Sequence, residues 1–104
     1  MKLNNNTLVP KIIEMNTEIS IIDRSIDEAM SLLTLKDELE FISKIQNLIE
    51  KMPKLKYFDE EINSIKECLV DIYDGYEKRE DGISYMNFMK RVIASTRDYI
   101  GEMR

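Results

Sequence analysis

The chain has 104 residues and a formal net charge of −5, with 15 basic and 20 acidic side chains, one cysteine and no histidine. This length suits a single domain, residues 1–104, and an apolar fraction of 43% is too high for a disordered acidic tail. One cysteine excludes a disulfide framework, and the lack of histidine removes the commonest general base and metal ligand. We therefore expect no enzymatic activity, no cofactor and no metal site.

The first predicted element is a long amphipathic helix over residues 7–33. Its apolar residues are spaced alternately by four and three, which places them along one stripe of a helix. They are Leu8, Ile12, Met15, Ile19, Ile22, Ile26, Ala29 and Leu33. Pro10 falls in the first turn, where its missing N–H costs nothing. Because this helix is longer than the others, we expect its end to protrude from the fold or to pack on another subunit.

A second helix is predicted to begin at Thr34, which has the spacing of a capping box with Asp37. Its apolar stripe, widened by Phe41 and Leu48, consists of Leu35, Leu39, Ile42, Ile45, Ile49 and Met52. Pro53 ends this helix because the residue before a proline disfavours helical backbone. The junction between the first two helices is either a tight corner or a kink in one long rod, and we favour the corner.

Two more helices follow. Asp59 is predicted to cap the third helix, which frays between Gly75 and Gly82. Its stripe is Ile62, Ile65, Leu69, Ile72 and Tyr76. Ser84 is predicted to cap the fourth helix, whose stripe is Met86, Met89, Ile93, Thr96, Ile100 and Met103. Short connections imply antiparallel neighbours, so the sequence predicts an all-α, antiparallel four-helix bundle with a long first helix.

A second apolar row on the fourth predicted helix is the main candidate binding surface. It consists of Tyr85, Phe88, Val92 and Tyr99. Together with the Met86 stripe it covers about half of the helix circumference, whereas a small bundle needs about a third. Either both rows belong to the core, or the second row contacts a partner, since tyrosine and phenylalanine are common interface anchors.

The third predicted helix is acidic and the fourth is basic. Glu60, Glu67 and Asp71 are candidates for orienting a partner at the rim of an interface, together with Arg91 of the fourth helix. Alternatively, the acidic and basic helices neutralise each other and need no partner. Cys68 lies among apolar residues and is expected to be a small buried side chain rather than a nucleophile.

Four apolar residues of the first helix lie off its main stripe. They are Val9, Ile13, Ile21 and Met30. Single exposed apolar residues need no explanation, but several on an overlong helix favour a contact between subunits. We therefore expect a homodimer or a larger assembly, with these residues at its interface.

These features predict a small, non-enzymatic protein-interaction module that inhibits or regulates another protein by docking a helix face. An immunity-type or anti-defence factor of a phage or mobile element fits its size and composition. The alternatives are a self-assembling structural subunit, a secretion-type chaperone or a nucleic-acid-binding regulator, the last disfavoured by the acidic charge. No apolar run approaches the roughly 18 residues of a membrane span and no signal peptide is evident, so we expect a cytoplasmic protein.

Overall fold

The computed structural model describes residues 5–103, with side chains from residue 8 onward, and over this range it contains four helices and no strand. They are α1 (Asn5–Leu33), α2 (Glu38–Lys51), α3 (Asp59–Tyr73) and α4 (Arg79–Gly101). Lys51, the last residue of α2, reaches back to Glu28 of α1, and α3 packs against both α2 and α4. The antiparallel four-helix bundle with a long first helix is therefore confirmed, and a corner separates α1 from α2.

The predicted stripe of α1 forms the centre of the core. Its middle residues Ile19, Ile22 and Ile26 have no exposed surface. The most extensive partner of α1 is α4, which buries its own predicted stripe. The fully or almost fully buried residues of α4 are Met86, Met89, Ile93 and Ile100. The periodicity of both helices thus identifies the faces that pack together.

The α2–α3 loop is held in place by a carboxylate of α1. Glu18 accepts hydrogen bonds from the backbone N–H groups of Tyr57 (2.9 Å), Phe58 (3.0 Å) and Lys56 (3.1 Å). Phe58 is the N-cap of α3 and has no side-chain cap of its own. Glu18 therefore places a negative charge where the dipole of α3 favours one. This contact fixes the start of α3 against α1.

The helices begin at residues other than those predicted. Asp37, rather than Thr34, is the N-cap of α2, and its carboxylate accepts a 2.9 Å hydrogen bond from the backbone of the first turn. Asp59 is the first residue of α3 rather than its cap, and α4 begins at Arg79, before Ser84. At α2, Thr34 and Asp37 are both capping side chains and the sequence does not choose between them. The caps of α3 and α4 are Phe58 and Lys78, which make no side-chain cap, so no capping residue marks these starts in the sequence.

The buried face of α2 also differs from the predicted stripe. Leu39 and Ile42 were expected inside, but they are 80% and 39% exposed. The buried residues are Phe41, Ile45 and Leu48. The ring of Phe41 lies 3.6 Å beneath the Arg79 guanidinium, a cation–π contact that favours this face of the helix.

A glycine turn ends α3 in place of the predicted fraying. Gly75 has a φ of +83°, in the left-handed region that favours glycine. Its N–H bonds to the Ile72 carbonyl, and the N–H of Tyr76 bonds to the Asp71 carbonyl at 2.8 Å, which together form a Schellman motif. Tyr76 consequently leaves the predicted stripe and is 81% exposed.

Gly82 allows α4 to approach its neighbours closely. It is buried, and a Cβ atom at this position would lie 2.3 Å from Ile72 Cδ1 and 3.3 Å from Leu33 Cδ1. The first turns of α4 therefore rest directly on side chains of α1 and α3, which sets the position of the whole helix.

We predict that Glu18→Gln lowers the free energy of unfolding by about 1–2 kcal/mol, because a neutral amide replaces a charged acceptor of three backbone N–H groups. Urea denaturation followed by circular dichroism measures this change. The control is Glu50→Gln, since Glu50 is exposed on α2, and its effect is expected within about 0.5 kcal/mol. Equal effects of the two variants would show that Glu18 does not hold the loop.

Candidate interaction surface

The rotation of α4 is set by its contacts with α1. Lys90 binds Asp27 at 2.5 Å, and Arg97 lies 3.7 Å from Asp23, so one flank of α4 faces α1. Tyr85 lies on the opposite flank, which faces α3. Because Val92 and Tyr99 follow Tyr85 at intervals of seven, they share this flank.

The Tyr85 side chain lines an open cleft of about 430 Å³ between α3, α4 and the loop that joins them. Its lining residues are polar, acidic or aromatic: Ser64, Glu67, Cys68, Asp71, Glu77, Asp81 and Tyr85. Burial raises the pKa of the Tyr85 phenol, which disfavours its ionised form. The cleft thus offers two hydroxyl groups, those of Ser64 and Tyr85, among four carboxylates.

The four residues of the predicted second row on α4 divide into two kinds. Tyr85 and Val92 are half-buried, and Tyr85 packs against the core beside α3. Phe88 is 50% exposed and Tyr99 is 68% exposed. The rings of Tyr85 and Phe88 are adjacent, with centroids 6.4 Å apart. We call these four residues the aromatic row; its inner members, Tyr85 and Val92, are half-buried, and its outer members, Phe88 and Tyr99, project into solvent.

The acidic residues predicted at the rim lie on α3. Glu60, Glu67 and Asp71 are exposed, and no ion pair engages them among residues 8–103. The alternative in which the acidic α3 and the basic α4 neutralise each other is not supported by an ion pair among residues 8–103, because Lys90 and Arg97 of α4 bind aspartates of α1. The negative charge of α3 therefore stays uncompensated by its neighbouring helix.

Arg91 was predicted to help orient a partner, and its side chain is exposed on α4. It follows Phe88 by three residues and so lies near it on the outer surface of the helix. Within the described part of the chain, Arg91 makes no ion pair or hydrogen bond. The predicted partner-binding residues thus share one side of the bundle, with Arg91 at its outer edge.

The predicted oligomer residues of α1 are distributed along the helix. Val9 and Ile13 are 45% and 59% exposed, near the end of α1 that extends beyond the α2–α3 loop. Ile21 and Met30 are partly buried and pack against the core, Ile21 beside α2. From Val9 to Met30 the helix spans about 31 Å. These residues do not form one compact patch within the chain.

Several exposed apolar residues of α2 and α3 were not indicated by the sequence. Leu39 and Ile42 project from α2, and Tyr73, the last residue of α3, is 41% exposed. For Leu39 and Ile42, the width of the apolar face of α2 in the sequence could have indicated this exposure. That face contains more large apolar residues than one seam can bury.

Cys68 is 7% exposed, which confirms the predicted burial. Its sulfur lies 3.8 Å from a Glu77 carboxylate oxygen. Burial and this carboxylate together raise the pKa of the thiol from 9.0 to about 11. The thiolate, which is the reactive form, is therefore scarce at neutral pH.

We predict that Cys68 of the folded protein reacts with iodoacetamide about a hundredfold more slowly than Cys68 of the urea-unfolded chain at mildly alkaline pH. The reason is the raised pKa, which lowers the thiolate fraction by about this factor. Mass spectrometry follows the alkylation. Glu77→Gln removes one cause of the shift and is expected to accelerate the reaction, and equal rates in the folded and unfolded chains would contradict this account.

No protein-family model, curated protein or solved structure matches the chain. Over residues 5–103, no helix combines the length and the apolar character needed to cross a membrane. The same part of the chain contains no group of three or more cysteine, aspartate or glutamate side chains placed to hold a metal ion. The surface features that suggest a function are the aromatic row and the exposed carboxylates of α3.

Proposed function

We propose that this chain is a non-enzymatic protein-interaction module that inhibits or regulates another protein by docking the aromatic row of α4 onto it. The observation that carries this proposal is the exposure of Phe88 and Tyr99 on a helix whose opposite face is fully packed. Large aromatic residues are enriched at the centres of protein interfaces and contribute much of their binding energy.

The row is suited to docking because the helix that carries it is rigid. Met86 and Ile100, which lie near the two ends of the row, are completely buried. Phe88 and Tyr99 are therefore held in fixed positions, and little conformational entropy is lost when a partner covers them. Tyr85, which packs against the core, and the half-buried Val92 would lie beneath a partner side chain.

Such a module acts by covering a surface of its partner rather than by changing it chemically. The small size and the composition of the chain also fit an immunity-type or anti-defence factor of a phage or mobile element. In that role, α4 blocks a site on a host protein, and the rest of the bundle supports the helix.

A second candidate function is self-assembly, which the exposed Val9 and Ile13 favour. The first turns of α1 extend beyond the loop that Glu18 holds, so a second copy could pair with them. Light scattering over a range of protein concentrations separates the two candidates, because a chain that stays monomeric at high concentration excludes self-assembly.

We predict that Phe88→Ala and Tyr99→Ala each weaken binding of the partner protein by more than about 1 kcal/mol, because each removes an exposed aromatic anchor. The immobilised wild-type chain and the double variant are incubated with lysate of the source organism. Quantitative mass spectrometry then compares the captured proteins. A protein enriched on the wild-type chain and lost from the double variant is the expected result.

The matched control is Ser95→Ala, an exposed position on α4 between Phe88 and Tyr99, which is expected to retain the captured protein. Circular dichroism establishes that the variants remain folded. If the double variant captures the same proteins as the wild-type chain in equal amounts, the aromatic row is not the docking surface.

A further inference from the structure

We propose that the groove between α3 and α4 binds a basic amphipathic helix of the partner protein. This inference rests on the proposed function and adds the chemistry of the bound segment. Its basis is a pair of features that run side by side: the aromatic row on α4 and a row of carboxylates on α3 and in the adjoining cleft.

The charge of the groove selects for a basic partner. Four carboxylates line its cleft, Glu67, Asp71, Glu77 and Asp81, and Glu60 lies nearer the start of α3. None of the five is in an ion pair among residues 8–103. Three of the four basic side chains of α4 are occupied elsewhere, since Lys90 and Arg97 bind α1 and Arg79 binds Glu38. The fourth, Arg91, is exposed at the outer edge of the aromatic row and makes no ion pair with these carboxylates among residues 8–103. Lysine or arginine side chains of a partner would supply the missing positive charge.

The length and spacing of the groove fit a helix. From Tyr85 to Tyr99 the aromatic row runs about 21 Å along α4, and its members are separated by three, four and seven residues. An amphipathic helix presents apolar side chains at the same intervals and can lie in the groove between two helices. Its apolar stripe would cover Phe88 and Val92 while its basic flank meets Glu67 and Asp71.

The same charges disfavour the other macromolecules that could cover an exposed aromatic surface. The phosphates of nucleic acids and of anionic lipid headgroups would meet unpaired carboxylates and be repelled. An acidic protein segment would be repelled for the same reason. Among these partners, a basic peptide helix satisfies both the apolar and the charged requirement.

A synthetic peptide of about 18 residues, long enough to follow the groove, tests this proposal. It carries leucines along one face of a helix, lysines on both flanks and a fluorescent label. Fluorescence anisotropy measures its binding to the full chain at low and at moderate salt. We expect saturable binding that weakens with salt, and no binding of a second peptide in which glutamate replaces every lysine.

Two charge-reversed variants with equal net charge locate the site. Glu67→Lys combined with Asp71→Lys changes the groove, and Glu50→Lys combined with Asp98→Lys changes exposed positions elsewhere. The groove variant and Phe88→Ala are each expected to weaken binding of the lysine peptide roughly tenfold, and the control variant less than about twofold.

The outcomes distinguish this proposal from the proposed function. The basic-helix proposal is overturned if the lysine peptide does not bind, if the glutamate peptide binds equally, or if both charge-reversed variants lose binding equally. Another outcome is that the variant with Glu67→Lys and Asp71→Lys retains the cellular protein that the variant with Phe88→Ala and Tyr99→Ala loses. In that case the aromatic row docks a partner, but the bound segment is not basic. The proposed function itself fails only when that double variant also captures the protein.

Discussion

The packing of α4 against α1 is the constraint on which the rest of the structure depends. It is the most extensive helix contact, and it buries Met86, Ile93 and Ile100 almost completely. Close-packed interiors leave little freedom to rotate a helix about its axis once such a stripe is buried. Because the rotation of α4 is fixed, the direction of every other side chain on this helix is fixed as well.

Two consequences of this rotation produce the candidate surface. The basic residues Lys90 and Arg97 are turned toward aspartates of α1, so they do not neutralise α3. The aromatic row is turned toward α3, and its member Tyr85 shares a cleft with Glu67 and Asp71, which make no ion pair among residues 8–103. Exposed ion pairs contribute little to stability. The buried stripe therefore sets the rotation of α4, and the ion pairs with α1 form as a result of that rotation.

The sequence predicted the helices and the packed faces of α1 and α4 because a repeat of three and four residues directly reports which side of a helix is apolar. On α2 it included the buried Phe41, Ile45 and Leu48 in the apolar face. It also placed Leu39 there, which is exposed, because Leu39 and Phe41 are equally apolar and the choice between them depends on a contact from α4. It also did not predict which helix would neutralise the basic residues of α4. This pairing depends on how α4 is rotated in the folded bundle. The net charge of a sequence segment does not report that rotation.

The central claim is that the Met86 stripe of α4 holds the fold together and the outer aromatic residues do not. The most direct test compares the free energies of unfolding of Met86→Ala and Phe88→Ala, measured by urea denaturation under identical conditions. Met86→Ala is expected to cost about 2–5 kcal/mol, and Phe88→Ala less than about 1 kcal/mol, because Met86 is fully buried and Phe88 is half exposed. If Phe88→Ala destabilises the chain as much as Met86→Ala, the aromatic row belongs to the core and the account is contradicted.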